Sequence, residues 1–307
     1  PRATSVELAI YQAFRFDFDL ARAAALASLQ LALCALTALA AARLAVPSAF
    51  GTGLDRPAAR WDAGGPGLRT LDALLIGLAA LFLIAPLAAV VLSGAPRLAA
   101  LPAPVWQAAG RSVAVAAAAT LLTVALALPM ALAVARGGWA RFLETVGMLP
   151  LATSALVTGT GLFLLLRPLV GPAGLALPVT VAVNAAMALP FALRSLIPAA
   201  RDLEAGYGRL AQSLGMRGTA RLRLLTLPRL RRPLGFAAGL TAALSMGDLG
   251  VIALFADADR ATLPLQLYRL MGAYRMADAA GAAVLLLGMS LAAFWILDRG
   301  GRADAGA

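Results

Sequence analysis

The sequence lacks two residue types entirely and uses a third only once. It contains no histidine and no lysine, and Cys34 is its single cysteine. These absences exclude a zinc site, a haem site, a histidine-dependent catalytic triad and a disulfide framework. Because all 26 basic residues are arginine, the lysine of a Walker A motif is missing as well. We therefore expect no cofactor, no metal site and no ATP hydrolysis by the usual P-loop route.

Charge is also scarce, and long apolar runs take its place. Charged residues make up 13% of the chain and apolar residues 61%, whereas a soluble domain carries about 25% charged residues. Seven apolar stretches approach the ~20 residues that a helix needs to cross a bilayer. The predicted membrane helices are Ala23–Ala42, Ala73–Leu92, Ser112–Ala135, Thr145–Leu166, Leu175–Leu193, Leu234–Phe255 and Ala279–Leu297. The sequence thus predicts an all-α integral membrane protein that contacts lipid and not nucleic acid.

The arginines give the orientation of these helices. Seven crossings leave four segments on each side, and one set of four holds 17 arginines against 9 in the other. The richer side should be cytoplasmic by the positive-inside rule. It includes residues 194–233 and the C-terminal tail, so the N-terminal segment is expected outside.

The two ends of the chain resemble each other, which indicates an internal repeat. Ser5–Tyr11 and Thr262–Tyr268 stand 257 residues apart, and each precedes a predicted inward-running helix. The chain also starts at Pro1 without a signal-peptide pattern, so we expect it to be the later part of a longer protein. The predicted divisions are the end of a first repeat (1–45), a cytoplasmic linker (46–70), a second six-helix repeat (71–298) and a cytoplasmic tail (299–307).

The most informative cytoplasmic segment is 194–233. Apolar residues recur at helical spacing over 207–214, and Gly215 then suits a helix end or a sharp turn. From about Gly218, arginines alternate with leucines until Pro228. The pattern predicts a helix–turn–helix at the membrane face, suited to docking another protein. Binding of anionic lipid headgroups by a basic loop is the alternative.

This segment resembles the coupling loop of ABC importer permeases. That loop reads Glu-Ala-Ala, three residues, Gly, nine residues, Ile, one residue, Leu-Pro. Here Arg209, Leu210 and Ala211 stand at the Glu-Ala-Ala positions, and Gly215, Leu225, Leu227 and Pro228 stand at the later ones. The resemblance implies that the loop sits in a groove of an ATP-binding subunit and that an extracytoplasmic substrate-binding protein delivers the solute. The arginine in place of glutamate departs from the family pattern.

The last third resembles the thiamine ABC permeases more specifically. The resemblance is carried by Met246–Phe255, Thr262–Pro264, Tyr268 and Gly272–Arg275, with Ala9–Asp19 similar to the end of that family's first half. It implies the type I importer permease fold, two fused six-helix halves, and a place in the bacterial inner membrane. It also implies transport of thiamine or its phosphates, without catalysis by this chain.

Two polar residues within the predicted spans are candidate contacts of a transported cation. Asp248 is an acid well inside a span, where an unpaired charge is costly, and Asn184 is a weaker case of the same kind. The cationic ring of thiamine would suit a carboxylate, although packing within the bundle is the simpler explanation of Asp248. Tyr268 and Tyr274 could contact a binding protein or anchor the chain at the interface.

Three other functions remain open on the sequence. A permease for iron(III) or another small solute would carry much the same loop. A carrier driven by protons or sodium would need coupling acids or broken helices near the middle of the membrane. An intramembrane enzyme is disfavoured, because histidine is absent and no acid pair lies in the spans.

Overall fold

A computed structural model describes residues 5–15, 17, 19–44, 66–137, 140–166, 168, 172–255 and 260–302. Every regular element within these ranges is helical, which confirms the all-α class. The helices are α1 (Val6–Arg15), α2 (Leu20–Leu44), α3 (Pro66–Gly94), α4 (Ala103–Arg136), α5 (Ala140–Met148), α6 (Ala155–Leu166), α7 (Pro172–Ser213), α8 (Gly218–Arg221), α9 (Leu227–Gly247), α10 (Gly250–Phe255), α11 (Leu263–Gly272) and α12 (Met276–Arg302).

Five helices of the described chain are long and apolar enough to cross a membrane. They span Gly67–Ala100, Ala103–Arg136, Leu175–Ser213, Gly218–Ala253 and Met276–Arg302. A bent pair of helices makes a sixth if it is one crossing. The first of the seven predicted spans, Ala23–Ala42, lies within α2, a helix of 25 residues. By length and composition, the described residues confirm five or six of the other predicted spans.

The fourth predicted span, Thr145–Leu166, is not one straight helix as expected. Its two parts, Phe142–Leu151 and Ala155–Leu166, meet at an angle of 101°. Pro150 lies in a short 3₁₀ turn, and the residue before Ser154 is extended. The Ser154 hydroxyl then accepts a hydrogen bond from a backbone amide of the first turn of α6. Proline ends the first helix and the capping serine begins the second. The uninterrupted apolar pattern of this segment gave no sign of the break.

The fifth and sixth predicted spans, Leu175–Leu193 and Leu234–Phe255, belong to longer helical structures than expected. Helix α7 has 42 residues, which at 1.5 Å per residue is about 63 Å. That is roughly twice the ~30 Å hydrocarbon core. The sixth span lies in the helical stretch Gly218–Ala253, whose last part is interrupted at Asp248–Leu249. Helix α7 is therefore long enough to cross the bilayer and to continue into the predicted cytoplasmic segment.

The predicted linker and tail are partly helical. Helix α3 begins at Pro66, so the last residues of the predicted linker 46–70 belong to a helix and not to an irregular segment. Helix α12 likewise continues through Arg302, into the predicted tail 299–307. Residues 45–65 and 303–307 lie outside the described part of the chain.

Helices α4, α7 and α9 form the centre of the bundle, and α12 packs along α9. Small residues allow the α9–α12 approach: a Cβ on Gly235 would lie 2.8 Å from the Cα of Gly301, and one on Gly239 would lie 2.8 Å from the Phe294 carbonyl oxygen. Close helix contacts through glycine are typical of membrane bundles. By contrast, the membrane-length stretch Gly67–Ala100 buries none of its apolar window inside the protein, as expected for a helix that faces lipid.

The predicted external and cytoplasmic segments gather at opposite ends of α12. Near its start, the Leu263 amide donates to the Ser112 hydroxyl at 2.8 Å, which ties the predicted external loop 256–278 to α4. Near its end, Arg231 donates to the Gly300 carbonyl at 3.3 Å, which ties the cytoplasmic segment to the tail. One contact at each end of α12 therefore agrees with the predicted faces, and the orientation as a whole stays a prediction.

The two similar sequence segments adopt the same local structure. Ser5 precedes the 10-residue helix α1, and Thr262 precedes the 10-residue helix α11. Each short helix is followed by a long one, α2 or α12, and packs against it. This shared pattern agrees with the predicted repeat, while the division into domains stays a prediction.

The orientation can be tested by cysteine labelling in a Cys34→Ala background. We expect a membrane-impermeant maleimide added outside intact cells to modify Arg260→Cys but not Thr219→Cys, because the two exposed positions lie on opposite predicted faces. Permeabilising the membrane should make Thr219→Cys reactive and thereby show that it was shielded by the membrane. The reverse pattern would mean that the chain is inserted the other way round.

Candidate functional site

Helix α7 and the α8–α9 stretch form a helical hairpin, and its tip is a tight turn at Gly215. This residue has φ of +65°, a conformation open to glycine and strained for most other residues. The Met216 amide donates to the Ala211 carbonyl at 2.9 Å, which closes the end of α7. Gly218, with φ of +53°, then opens the second arm. The helix–turn–helix is confirmed, but its arms continue the long bundle helices and are not separate pieces at the membrane face.

The part of these helices nearest the turn, residues 204–229, is called the hairpin below. Two contacts hold its two arms together. Arg221 donates to Glu204 at 2.6 Å, and both side chains are largely buried. The Arg229 guanidinium lies 4.4 Å from the centre of the Tyr207 ring. Charge-assisted hydrogen bonds and cation–π contacts of this kind favour one relative placement of the arms. Sequence reasoning missed Glu204, which with Asp202 is one of two acids in a strongly basic segment.

The predicted coupling residues are distributed around the hairpin. Arg209, Leu210, Leu227 and Pro228 are exposed, Gly215 forms the turn, Leu225 is half-buried and Ala211 is buried. Two leucines that were not predicted, Leu214 and Leu224, are 66% and 71% exposed at the tip. Leu210 is exposed as well, so the arginine-rich hairpin presents three large apolar side chains outside the core, and exposed apolar surface often marks a protein contact.

A second site lies where the two polar residues of the predicted spans meet. The hydrogen-bond network orients the Asn184 amide so that its nitrogen donates to Asp248 Oδ2 at 3.1 Å and to the Thr180 carbonyl at 3.2 Å. The Asn184 oxygen accepts from the Ser245 hydroxyl at 2.9 Å. Ser245 was not predicted, although its position one helical turn before Asp248 could have suggested it.

Asp248 does not lie inside a continuous helix, as the sequence had suggested. It ends α9 with extended backbone angles, φ −71° and ψ +125°. Its Oδ1 accepts a hydrogen bond from the Gly250 amide at 3.2 Å, at the start of α10. The carboxylate therefore accepts one bond from the backbone and one from Asn184, in a helix break of the kind that binds solutes in other transporters.

This polar cluster borders a cavity of 380 Å³, within the ~300–1,000 Å³ range of small-molecule sites. The cavity is lined by Ala155, Asn184, Met187, Ala188, Phe191, Ala243, Leu244, Ser245, Gly247 and Asp248. Its wall is apolar except for the three polar side chains that converge on one side. This chemistry suits a ligand with an apolar or aromatic body and a positively charged region.

A second cavity, of 470 Å³, adjoins the same helix break. It is lined by Ser5, Leu8, Ala155, Leu156, Leu249, Gly250, Ala253 and Tyr268. Ala155, at the start of α6, lines both cavities. Tyr268 lines this second cavity, whereas Tyr274 is 88% exposed and lines neither. The breaks before α6 and before α10 therefore lie together between the two cavities.

Known proteins similar to this chain are membrane transport subunits. The thiamine transport system permease protein ThiP of Escherichia coli (strain K12) is 41% identical over 312 residues, covering 97% of this chain and 57% of its own length. ThiP of Haemophilus influenzae is 32% identical over 94% of this chain and 55% of its own length. The molybdenum transport system permease protein ModB of Mycobacterium bovis is 35% identical over 64% of this chain and 78% of its own length. No family model matches the chain.

Membrane-length helices, the hairpin and these relatives define the class: the chain belongs to the ABC-transporter permease family. Within that family, the similarity that extends along almost the whole chain is to the thiamine transport permeases. The chain spans about half the length of those relatives. It is a multi-pass protein of the bacterial inner membrane, as the sequence predicted.

Proposed function

We propose that this chain forms part of the translocation pathway of an ATP-driven importer for thiamine or its phosphates. The single observation that supports thiamine as the substrate is the 41% identity to ThiP along 97% of the chain. The division into the end of one repeat and a complete second one belongs to the same proposal, and the shared α1–α2 and α11–α12 pattern supports it. The chain would contribute no ATPase site, since the sequence has no lysine for a P-loop.

The hairpin would connect this chain to an ATP-binding subunit in the cytoplasm. Because α7 is about twice as long as the hydrocarbon core is thick, the tip can lie well outside lipid. Exposed leucines at the tip, Leu210, Leu214 and Leu224, then face water unless another protein covers them. ATP binding by that partner would move the hairpin and switch the bundle between outward-facing and inward-facing states. A substrate-binding protein would dock at the external end.

The cavity beside Asp248 would hold the substrate during passage. A carboxylate favours a cation over an anion in a low-dielectric site, and thiamine carries a cationic ring. Asn184 and Ser245 would orient the carboxylate, and the aromatic ring of Phe191, which lines the same cavity, would face the organic part of the solute.

Two other functions differ from this proposal in a measurable way. A permease for iron(III) or another small solute would share the hairpin and differ only in the substrate. A gradient-driven carrier is favoured by one feature, the helix break at Asp248, because such carriers bind ions at broken helices.

An uptake assay with the assembled transporter in proteoliposomes distinguishes these functions. We expect thiamine uptake to require ATP on the hairpin side and to continue after ionophores collapse the proton and sodium gradients. The chain without its partner should show no ATPase activity. Uptake that follows an ion gradient without ATP would overturn the proposal, and ATP-dependent uptake of other solutes but not thiamine would correct its substrate.

A further inference from the structure

A third cavity lies between α9 and α12, away from the hairpin tip and the polar cluster. It measures 360 Å³ and is lined by Arg232, Pro233, Phe236, Asp298 and Arg302. One wall is basic and the other is apolar, with Phe236 41% exposed and packed edge-to-face on Phe294. The proposed transport function uses none of these residues.

The cavity carries an uncompensated positive charge. Asp298 is the one acid that lines the cavity, and it is already paired with Arg302 at 2.7 Å. Arg232 is exposed and has no acidic partner among the residues that the structure describes. Arg299 lies on the same last turn of α12 as Arg302 and has its guanidinium 4.9 Å from the centre of the Trp295 ring. An anion that enters the cavity would therefore be able to pair with the guanidinium of Arg232.

The position of the cavity along the helices places it at the edge of the bilayer. Arg232 lies just before the sixth predicted span, and Asp298 lies just after the seventh. Trp295 and Ile296 are 58% and 60% exposed on the same end of α12. Exposed tryptophan and arginine at the end of an apolar helix are typical of the membrane interface, where lipid headgroups lie.

We propose that this cavity binds the phosphate headgroup of an anionic phospholipid from the cytoplasmic leaflet. Arg232 and Arg302 would hold the phosphate, and Phe236 would contact the glycerol and the first part of the acyl chains. Basic pockets between membrane helices on the cytoplasmic side recognise anionic lipids in this way. A soluble phosphate compound would gain little from the apolar wall, and an acidic protein segment would not explain why that wall faces the bilayer edge.

Lipid binding to the assembled transporter provides the test. The complex is purified in detergent and titrated with phosphatidylglycerol or phosphatidylcholine, and bound lipid is counted by native mass spectrometry. We expect wild type to bind phosphatidylglycerol more tightly than phosphatidylcholine. The double variant Arg232→Gln/Arg302→Gln should bind phosphatidylglycerol about 30-fold more weakly, the factor that corresponds to ~1 kcal/mol for each arginine near an anionic surface.

Matched variants separate loss of charge from loss of folding. Arg97→Gln removes an exposed arginine at the external end of α12 and should leave phosphatidylglycerol binding unchanged. Arg232→Lys/Arg302→Lys keeps both charges and should retain most of the affinity. If the glutamine variant does not assemble, the lipid preference of wild type together with the lysine variant still decides the question.

Four results would overturn the proposal. Equal binding of the two lipids by wild type, or equal affinity of wild type and the glutamine variant, would show that the cavity does not recognise a lipid phosphate. Displacement of phosphatidylglycerol by glycerol phosphate at equal concentration would identify a soluble phosphate as the ligand. Binding of phosphatidylglycerol that appears only after the ATP-binding subunit is removed from the complex would assign this surface to a protein contact.

Discussion

Replacing Gly215 by valine is expected to stop coupled transport while the protein still inserts into the membrane. The residue has φ of +65°, and a Cβ added there would have no heavy atom of another residue within 4 Å beyond its chain neighbours. The substitution therefore meets no steric clash, and its cost is strain in the backbone, about 1–2 kcal/mol for a left-handed residue. A β-branched residue tolerates this region least, so the turn should change its shape. We expect uptake to fall at least about tenfold.

The measurement compares ATP hydrolysis and thiamine uptake in proteoliposomes, with both rates normalised to assembled complex. The matched control is Gly206→Val, the same change on the same hairpin arm at an exposed helical position with open space around it and no positive φ. Gly215→Asn is a second control, since asparagine adopts the left-handed conformation more readily than valine. Wild-type uptake by Gly215→Val would remove the coupling role from this turn.

Removing the charge of Asp248 is expected to weaken transport of a cation without disturbing the fold. Asparagine can still accept the bond from the Gly250 amide, which the carboxylate now accepts at 3.2 Å. The amide of Asn184 can rotate, because the Ser245 hydroxyl can either donate or accept. That rotation gives up the hydrogen bond from Asn184 to the Thr180 carbonyl, but the larger loss is the charge, since charge-assisted hydrogen bonds are roughly twice as strong as neutral ones. We expect the KM for thiamine to rise about tenfold.

Three comparisons test whether charge or packing is responsible. Ser245→Ala removes one neutral hydrogen bond and should have a smaller effect, since such a bond contributes about 0.5–1.5 kcal/mol. A substrate analogue without the ring charge should be transported equally by wild type and Asp248→Asn. Asp248→Leu removes both the charge and the cap of α10, and should also lower the amount of assembled complex. If Asp248→Asn transports thiamine with the same kinetics as wild type, Asp248 does not bind the substrate and has only a structural role.

Some features of the site could be predicted because they depend on neighbours in sequence. Gly215 was identified as a turn from the end of an apolar periodicity, and its positive φ confirms that prediction. The similarity of the segments at Ser5 and Thr262 was visible as a pattern, and both segments are followed by a short and then a long helix. The arms of the hairpin were predicted as separate short helices, because the apolar run of the fifth span ends at Leu193.

Other features depended on contacts that no local pattern encodes. Asn184 and Ser245 are 61 residues apart, and only the packing of α7 on α9 brings both of them to Asp248. The pairing of Glu204 with Arg221 similarly requires the hairpin to be closed.

The sequence by itself determined that the chain is helical and lies in a membrane. Long apolar runs are stable in lipid, and within lipid a helix satisfies the backbone hydrogen bonds of each run. It also determined the turn at Gly215, since side chains at that position would be strained. Tertiary structure decided where the helices break, at Pro150–Ser154 and at Asp248, because a break in a bundle is stable only when neighbouring helices support it. It also decided which polar groups share a cavity, since this depends on how α7 and α9 pack and not on their hydropathy.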